Sequence, residues 1–452
     1  MFARTYLSLL FASLVAVPAL SQVEPSATGG AGATQDDTQM MTPPPVSGMP
    51  YPGEAGADTR SNYLSAAINA NVGYNDNVLP GANAKPISDE SYWILPALSL
   101  DKSTGRQKVS LEYSPSFSFY QHTTSLDTVD HSASLVFQDR LSPHLNLSVQ
   151  DYFVRTSNVF NESYPFSAGN LTGSTQAPVP ALIVPYVEQM SDTASGSINY
   201  QFGRDSMIGG GASYSTFSLP DTAAAAGLSN SDGEGGSVFY SRRFSGKQYA
   251  GLSYSYSRDV VTDAPNPPFN TQLHTLLPFY STYFTSKFSL SISAGIQYVD
   301  FSQQSVTQGY SQWSGVGTAS VGWQGNRGSF ALSYLHSINS GEGFAEALTS
   351  DSVSASSGWK IAPTWTSSFA VSYANSSPVT TRVGAPIYGY EGGNALALGA
   401  TLTHSMGDRF SAACGYDRLQ ENYPGIAFIA NNPDSDRVFV TITYLLRKSI
   451  GR

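Results

Sequence analysis

The chain of 452 residues is 41% hydrophobic but only 12% charged, with 41 glycines, 27 tyrosines and a formal net charge of −10. A soluble globular domain carries about 25% charged residues, so much of this surface is not expected to face water. The acidic balance excludes the basic patch that nucleic-acid binding requires.

The first residues carry an export signal. Arg4 gives Met1 to Tyr6 one positive charge, Leu7 to Val17 is apolar apart from Ser8 and Ser13, and Pro18 ends any helix formed there. Ala19 and Ser21 satisfy the small–x–small cleavage rule, so residues 1–21 are expected to be a signal peptide and Gln22 the first mature residue. The run is shorter than the roughly 20 residues of a spanning helix. No cysteine near the cleavage site suggests a lipoprotein. Residues 22–61 follow, rich in Gly, Pro, Ala and Thr, and are expected to be a disordered periplasmic linker. Within them Pro43–Pro45 reads as a spacer, or as an extended partner-binding segment.

Structured sequence is expected from Asn62 to Arg452, and one pattern repeats through it. Leu64, Ala66, Ile68, Ala70 and Val72 alternate with Ser65, Asn69, Asn71 and Gly73. Val109, Leu111, Tyr113, Phe117 and Phe119 alternate with Ser110, Glu112, Ser114, Ser116 and Ser118. In 288–298, Phe288, Leu290, Ile292, Ala294, Ile296 and Tyr298 alternate with serine, Gly295 and Gln297. Successive side chains in a strand point to opposite faces, so each segment has one apolar and one polar face. A helix would scatter both sets around its circumference.

Three features separate a membrane barrel from a soluble sandwich. The segments run about 10–13 residues, long enough to cross a bilayer at a tilt. Short connections such as 101–106, 202–206 and 406–409 alternate with long ones such as 75–90, 156–190 and 421–435. That is the rhythm of short periplasmic and long extracellular connections. Aromatic residues flank the short turns: Phe202, Phe244, Phe284, Phe288, Trp323, Phe330, Trp359, Trp365 and Phe410, a row at one depth that reads as an interfacial girdle. The fold class expected is therefore all-β, a transmembrane antiparallel up-and-down barrel of about 18 strands. Sixteen is the alternative count, because 191–203, 234–244 and 351–361 are Gly/Ser-rich with weak apolar faces. Val438 to Leu446 is the expected closing strand, with a recognition signal for the barrel-assembly machinery near Tyr444, although the tail RKSIGR lacks a terminal aromatic.

After the first strand the chain reads Val72-Gly73-Tyr74-Asn75-Asp76-Asn77-Val78-Leu79. This opening resembles that of a family of outer-membrane β-barrel porins, some of which accompany exopolysaccharide export systems. The resemblance spans about residues 62–447 and rests mostly on architecture. It implies an outer-membrane barrel, raises the expectation of polysaccharide passage, and supplies no catalytic residues.

Chemistry beyond passage has little support. His122, His131, His144, His274, His336 and His404 lack metal-ligand spacing, and no metal or cofactor is expected. Asp127, Asp130 and His131 form a local acid–histidine cluster, but no nucleophile motif accompanies them, so no catalytic residue is assigned. Asp76 and Asn77 invite a calcium reading; a turn, in which these side chains bond their own backbone, explains them as well and is preferred. Cys414, the sole cysteine, reads as a small apolar strand residue.

The inward positions carry the functional expectation. Glu112, Gln150, Asn199, Gln201 and Gln297 are the lumen-lining candidates, with Tyr120 and Tyr152 as inward aromatics. Neutral hydrogen-bonding groups suit water, small solutes or sugar hydroxyls, whereas strong ion selectivity would call for rings of charge. Arginine at Glu112 or Gln297 is expected to shift selectivity while the barrel still assembles. The 156–190 connection, with Pro165, Pro178, Pro180 and Pro185, is long enough to fold inward as a constriction. The leading reading is a pore for hydrophilic solutes or exopolysaccharide. The alternative is an occluded structural barrel that binds partners through its long loops. Outer-membrane lipid and lipopolysaccharide are the expected surroundings.

Overall fold

The computed structural model describes residues 62–79, 85–157, 188–219, 230–262, 268–285, 287–303, 310–340, 347–379, 392–422 and 434–450. The expected signal peptide and linker, and most of the 156–190 connection, lie outside them. Eighteen strands follow one another in chain order. The first six are β1 (Tyr63–Asn75), β2 (Asp89–Ser103), β3 (Gln107–Tyr120), β4 (Thr128–Ser142), β5 (Leu145–Thr156) and β6 (Gln189–Gln201). Next come β7 (Ser206–Ser218), β8 (Asn230–Ser245), β9 (Gln248–Thr262), β10 (Phe269–Thr285), β11 (Phe288–Gln303) and β12 (Tyr310–Gln324). The last are β13 (Gly328–Ser340), β14 (Ala347–Ala362), β15 (Trp365–Pro378), β16 (Gly393–Ser405), β17 (Phe410–Asn422) and β18 (Asp434–Ser449).

Each strand pairs antiparallel with its chain neighbours, and β1 pairs with both β2 and β18, which closes the sheet on itself. Closure leaves no sheet edge, as the hydrocarbon interior demands. The count of eighteen removes the sixteen-strand alternative. The weak segments are β6, β8 and β14, whose outward faces still carry Ile198, Tyr200, Val238, Tyr240, Val353 and Trp359. Strands run from 12 to 17 residues, longer than their alternating cores suggest, because paired backbone continues into polar sequence at both ends.

The register assigns each residue to a face. Leu64, Ala66, Ile68, Ala70, Val72 and Tyr74 oppose Lys448, Leu446, Tyr444, Ile442, Val440 and Val438 in turn across the seam and face outward. Along the whole wall the outer face exposes apolar side chains, among them Ile68 (52%), Leu98, Ile208, Leu252, Ile296 and Val440 (53%). Such a belt is stable only against lipid.

Aromatic rings bound the belt at the short-turn end. Phe284 and Phe288 have ring centroids 5.5 Å apart, Trp323 and Trp359 5.5 Å, and Phe410 and Tyr444 4.8 Å. At the other end a second girdle appears that alternation does not reveal. There the tyrosine hydroxyls reach a partner on the paired strand. Tyr113 lies 2.9 Å from His131 Nδ1, Tyr254 2.8 Å from His274 Nδ1, and Tyr334 donates to Asp351 at 2.6 Å. The phenol ring meets hydrocarbon while its oxygen stays satisfied where the lipid ends.

Candidate functional site: the lumen wall

Inward positions carry mainly small hydroxyl residues and glycine. Neighbouring hydroxyls bond one another across strands: Ser281 with Ser291 at 2.6 Å, and Ser333 with Ser354 at 2.6 Å. Others donate to backbone, as Ser132 does to Ser114 O at 3.0 Å and Ser253 to Leu277 O at 3.2 Å. The wall is thus neutral and low in profile.

Larger inward residues gather in patches. Met207, Phe239 and Tyr249, packed by Tyr283, fill the short-turn end of β7–β10. Val261, Phe269 and Phe301 pack at the opposite end of β9–β11. A third cluster joins inward Leu273 and Val299 with Val379 and with Ile338 and Ala347, which the β13–β14 register places on the same face as Tyr334 and His336.

Across the seam region the wall changes character. Arg437 forks onto Asp417, with Nη2 and Nε at 2.5 and 3.1 Å from the same carboxylate oxygen. Its guanidinium sits 5.0 Å from the Trp93 ring centroid and 5.3 Å from that of Phe439. The Trp93 indole reaches over Gly73, diagonal to its register partner Asn71, where a Cβ would come within 2.8 Å of the ring. Bulk and charge are thereby kept against the wall. Asn71, Trp93, Glu112, Asp130, Arg437 and Phe439 border one space of roughly 370 Å³.

The five lumen candidates all lie on inward register positions, but they do different things. Glu112 opposes Ser99 and Ser134 and is exposed, with no ion pair to it among the described residues. Gln150 opposes Val136 and Ser195 and is half-buried. Asn199 is 8% exposed and lies against the bare Cα of Gly209. Gln201 is 7% exposed and donates to Gly203 O and Arg204 O at 3.3 and 3.4 Å, anchoring the β6–β7 turn. Gln297 is 4% exposed and clamps the backbone of Ile338, donating through Nε2 at 3.1 Å and accepting at Oε1 from the amide at 3.0 Å. Glu112 and Gln150 therefore offer polar groups to the lumen, while Asn199, Gln201 and Gln297 are packed into the wall. Arginine at Gln297 would break the clamp, so the expectation that this barrel still assembles does not extend to that position. Tyr120 (9% exposed) and Tyr152 also stand on inward positions.

The opening motif is a clasp between the two ends of the sheet. Tyr74 faces outward and is 50% exposed. Asp76 N–H donates to Asp436 O at 3.1 Å, and Asp76 Oδ1 accepts from Asp436 N–H at 2.7 Å. Buried Asn77 donates through Nδ2 to Asp434 O at 2.8 Å and through its amide to Asn75 Oδ1 at 2.9 Å. Ser435 bridges Asn75 Oδ1 and Asn77 O at 2.9 and 2.8 Å. These bonds extend the β1–β18 seam past the last ladder rung.

The Asp130–His131 neighbours separate across the wall. Asp130 opposes Ser116 on the inner face, while His131 opposes Pro115 on the outer face and stacks on Tyr113. They do not converge into a dyad. Cys414 faces outward and is exposed.

A closed antiparallel sheet with an even strand number, an apolar outer belt between two aromatic girdles and a polar inner wall defines the class: this is a transmembrane β-barrel of the outer membrane. No protein-family model matches the chain, and no curated protein matches it in sequence. Among solved structures it aligns with the ferric citrate transporter FecA in its unliganded form at TM-score 0.43 and 11% identity, covering 82% of this chain and 61% of that one. It aligns with the outer membrane protein OpdK from Pseudomonas aeruginosa at TM-score 0.40 and 12% identity, covering 86% of this chain and 99% of that one. OprD from the same organism aligns at TM-score 0.39 and 12% identity, covering 87% and 96%. The class rests on the chain's own closed sheet.

Proposed function

We propose that this barrel is a passive pore that carries hydrophilic solutes across the outer membrane. The observation behind the proposal is the inner wall itself, a lattice of serine and threonine hydroxyls that is nearly neutral and already bonded within the wall. Such a surface offers weak, exchangeable contacts to a passing solute and no deep well to hold it. Eighteen strands set a diameter at which a channel remains after short side chains fill the wall. Glu112, unpaired and exposed, supplies a mild preference for cations. No step of bond making or breaking belongs to this reading.

The finer reading is passage of exopolysaccharide, supported by hydroxyl partners for sugar hydroxyls and by the opening motif's resemblance. Liposome swelling with sugars of graded size tests both levels. Uptake of monosaccharides that falls steeply with size supports a solute pore, and admission of long linear oligosaccharides supports the finer reading. Liposomes that hold folded barrel yet swell in no sugar would overturn the pore and favour the occluded, partner-binding barrel.

A further inference from the structure

The upper end of β13 leaves the wall. β12 pairs with β11 as far as Tyr310↔Phe301, and β13 pairs with β14 as far as Ser340↔Ala347. Between β12 and β13 the ladder stops at Gly317↔His336. Gly315 and Gly317 flank that point, and glycine weakens a strand interior.

Parity shows where the freed end goes. The unbroken β13–β14 register keeps Ile338 and Ala347 on the face of Tyr334 and Val353, which point outward and are each 43% exposed. Yet Ile338 is 1% and Ala347 3% exposed. Both pack with Val379, the residue after the last β15 rung, Leu348↔Pro378. The rest of that cluster is Leu273 and Val299, paired residues on the inner faces of β10 and β11. From the same inner face the Gln297 carboxamide reaches the Ile338 backbone, accepting from its N–H at 3.0 Å and donating to its carbonyl at 3.1 Å. A side chain that points into the lumen can bond this backbone only if the backbone lies inside the wall. The ends of β13, β14 and β15 are therefore folded inward past β12, with their outer faces laid on the inner faces of β10 and β11. Apolar burial favours the infold. The two Gln297 bonds replace those that Ile338 gives up on leaving β12.

The other face of the folded end turns to the lumen. Leu335 and Ser337 on it border one continuous space with Ser195, Ser213, Ser237 and Ser255 of the β6–β9 wall. Eighteen strands about 4.8 Å apart and tilted about 40° enclose about 35 Å between backbones in a round barrel. A second layer stacked on that wall stands about 10 Å inside it.

We propose that this infolded end is the constriction of the pore, and that Gln297 is the positioning residue that latches it. The narrowest lining is Ser337 against the serines of β6–β9, a neutral slit that sorts uncharged hydroxylated solutes by width. That role rests on the pore reading.

The test uses full-length Cys414→Ser protein, with heat-modifiable gel migration confirming each folded barrel. Val299→Cys with Ile338→Cys is exported through the oxidising periplasm, where a close pair of thiols bridges. The infold predicts an intramolecular disulfide, read as a mass and mobility change on reduction. Had β13 stayed in the wall, Ile338 would lie opposite Gly315 on the outer face, with Val299 behind the sheet. Absence of the bridge overturns the infold and the constriction together. In planar bilayers Gln297→Met should raise single-channel conductance by on the order of twofold, because the layer takes about 10 Å of a clear width of roughly 25 Å. Adding the Val299–Ile338 bridge to that variant should restore the parent value, and reductant should release it again. A Gln297→Met conductance equal to the parent's overturns the latch. Independently of that variant, a charged thiol reagent should block Ser337→Cys channels more strongly than Ser356→Cys channels, whose label sits lower on the inner face of β14. Equal block overturns the constriction. A parent that forms the bridge yet never conducts overturns the pore reading, and the constriction with it, while the infold stands.

Discussion

Gln297 is the position where structure and residue type make the sharpest demand. Its side chain supplies both hydrogen bonds that the Ile338 backbone lacks from a neighbouring strand, at 3.1 and 3.0 Å, and both residues are almost fully buried. Gln297→Ala strands one N–H and one carbonyl. A buried polar group left without a partner costs about 1–3 kcal/mol, so the pair costs about 2–6 kcal/mol, with the lower half favoured where lumen water enters the vacated space. Gln297→Met keeps the side chain's length and removes only the hydrogen bonds, and should be nearly as damaging as alanine. Gln150, inward but half-buried, is the control, and Gln150→Ala should stay within about 0.5 kcal/mol of the unsubstituted protein. Urea unfolding of the detergent-solubilised barrel, followed by gel migration and tryptophan fluorescence, gives the comparison. If Gln297→Met matches Gln150→Ala, the clamp carries no stability and the reasoning fails.

Three further outcomes follow from the same geometry. Glu112→Arg changes the lumen by two charge units; at about 8 Å through water each unit is worth about 0.5 kcal/mol. Two units shift a cation and an anion by about 1 kcal/mol each in opposite directions, so the cation-to-anion permeability ratio, read as reversal potential in a salt gradient, should fall by on the order of thirtyfold; an unchanged potential would remove Glu112 from the conducting path. Asp417→Ala leaves the Arg437 guanidinium buried beside Trp93 without its carboxylate. It should destabilise the barrel by about 3–5 kcal/mol, and Asp417→Leu combined with Arg437→Met should recover most of the loss in the same unfolding assay. Cys414, outward and exposed, should react in vesicles with a lipid-soluble maleimide and resist a charged, impermeant one. Equal reaction with both would place that face in water.

Much of the fold is legible because a barrel strand writes its two environments into alternate residues. The short connections expected at 202–206 and 406–409 fall where β6 ends at Gln201 and β7 begins at Ser206, and where β16 ends at Ser405 and β17 begins at Phe410. Even β14 shows its face once Val353 and Trp359 are placed against Tyr334 and Gly328. The lower girdle is legible because its Phe and Trp residues adjoin short turns, whereas the tyrosine girdle is not. Tyr334 is satisfied by Asp351, seventeen positions along the chain, and only the register brings them together.

The site is less legible, for physical reasons. Parity assigns Gln297 inward, but its clamp on Ile338 arises because the β12–β13 ladder stops at Gly317↔His336, a property of three strands at once. Trp93 sits in the run Tyr92-Trp93-Ile94-Leu95, apolar on both faces, so alternation does not mark it as inward. Arg437 is different: Val438 and Val440 set the parity of β18, and a charged residue on its inner face is a readable signal. The opening motif's part as a seam clasp emerges only when Asp434, Ser435 and Asp436 are brought beside it.

The central claim is an open, nearly neutral lumen through an eighteen-strand barrel. Its most direct test is single-channel recording of the purified, heat-modifiable protein in a planar bilayer. The account predicts discrete conductance steps with a weak cation preference that Glu112→Gln abolishes. A correctly folded barrel that inserts but shows no steps would contradict it.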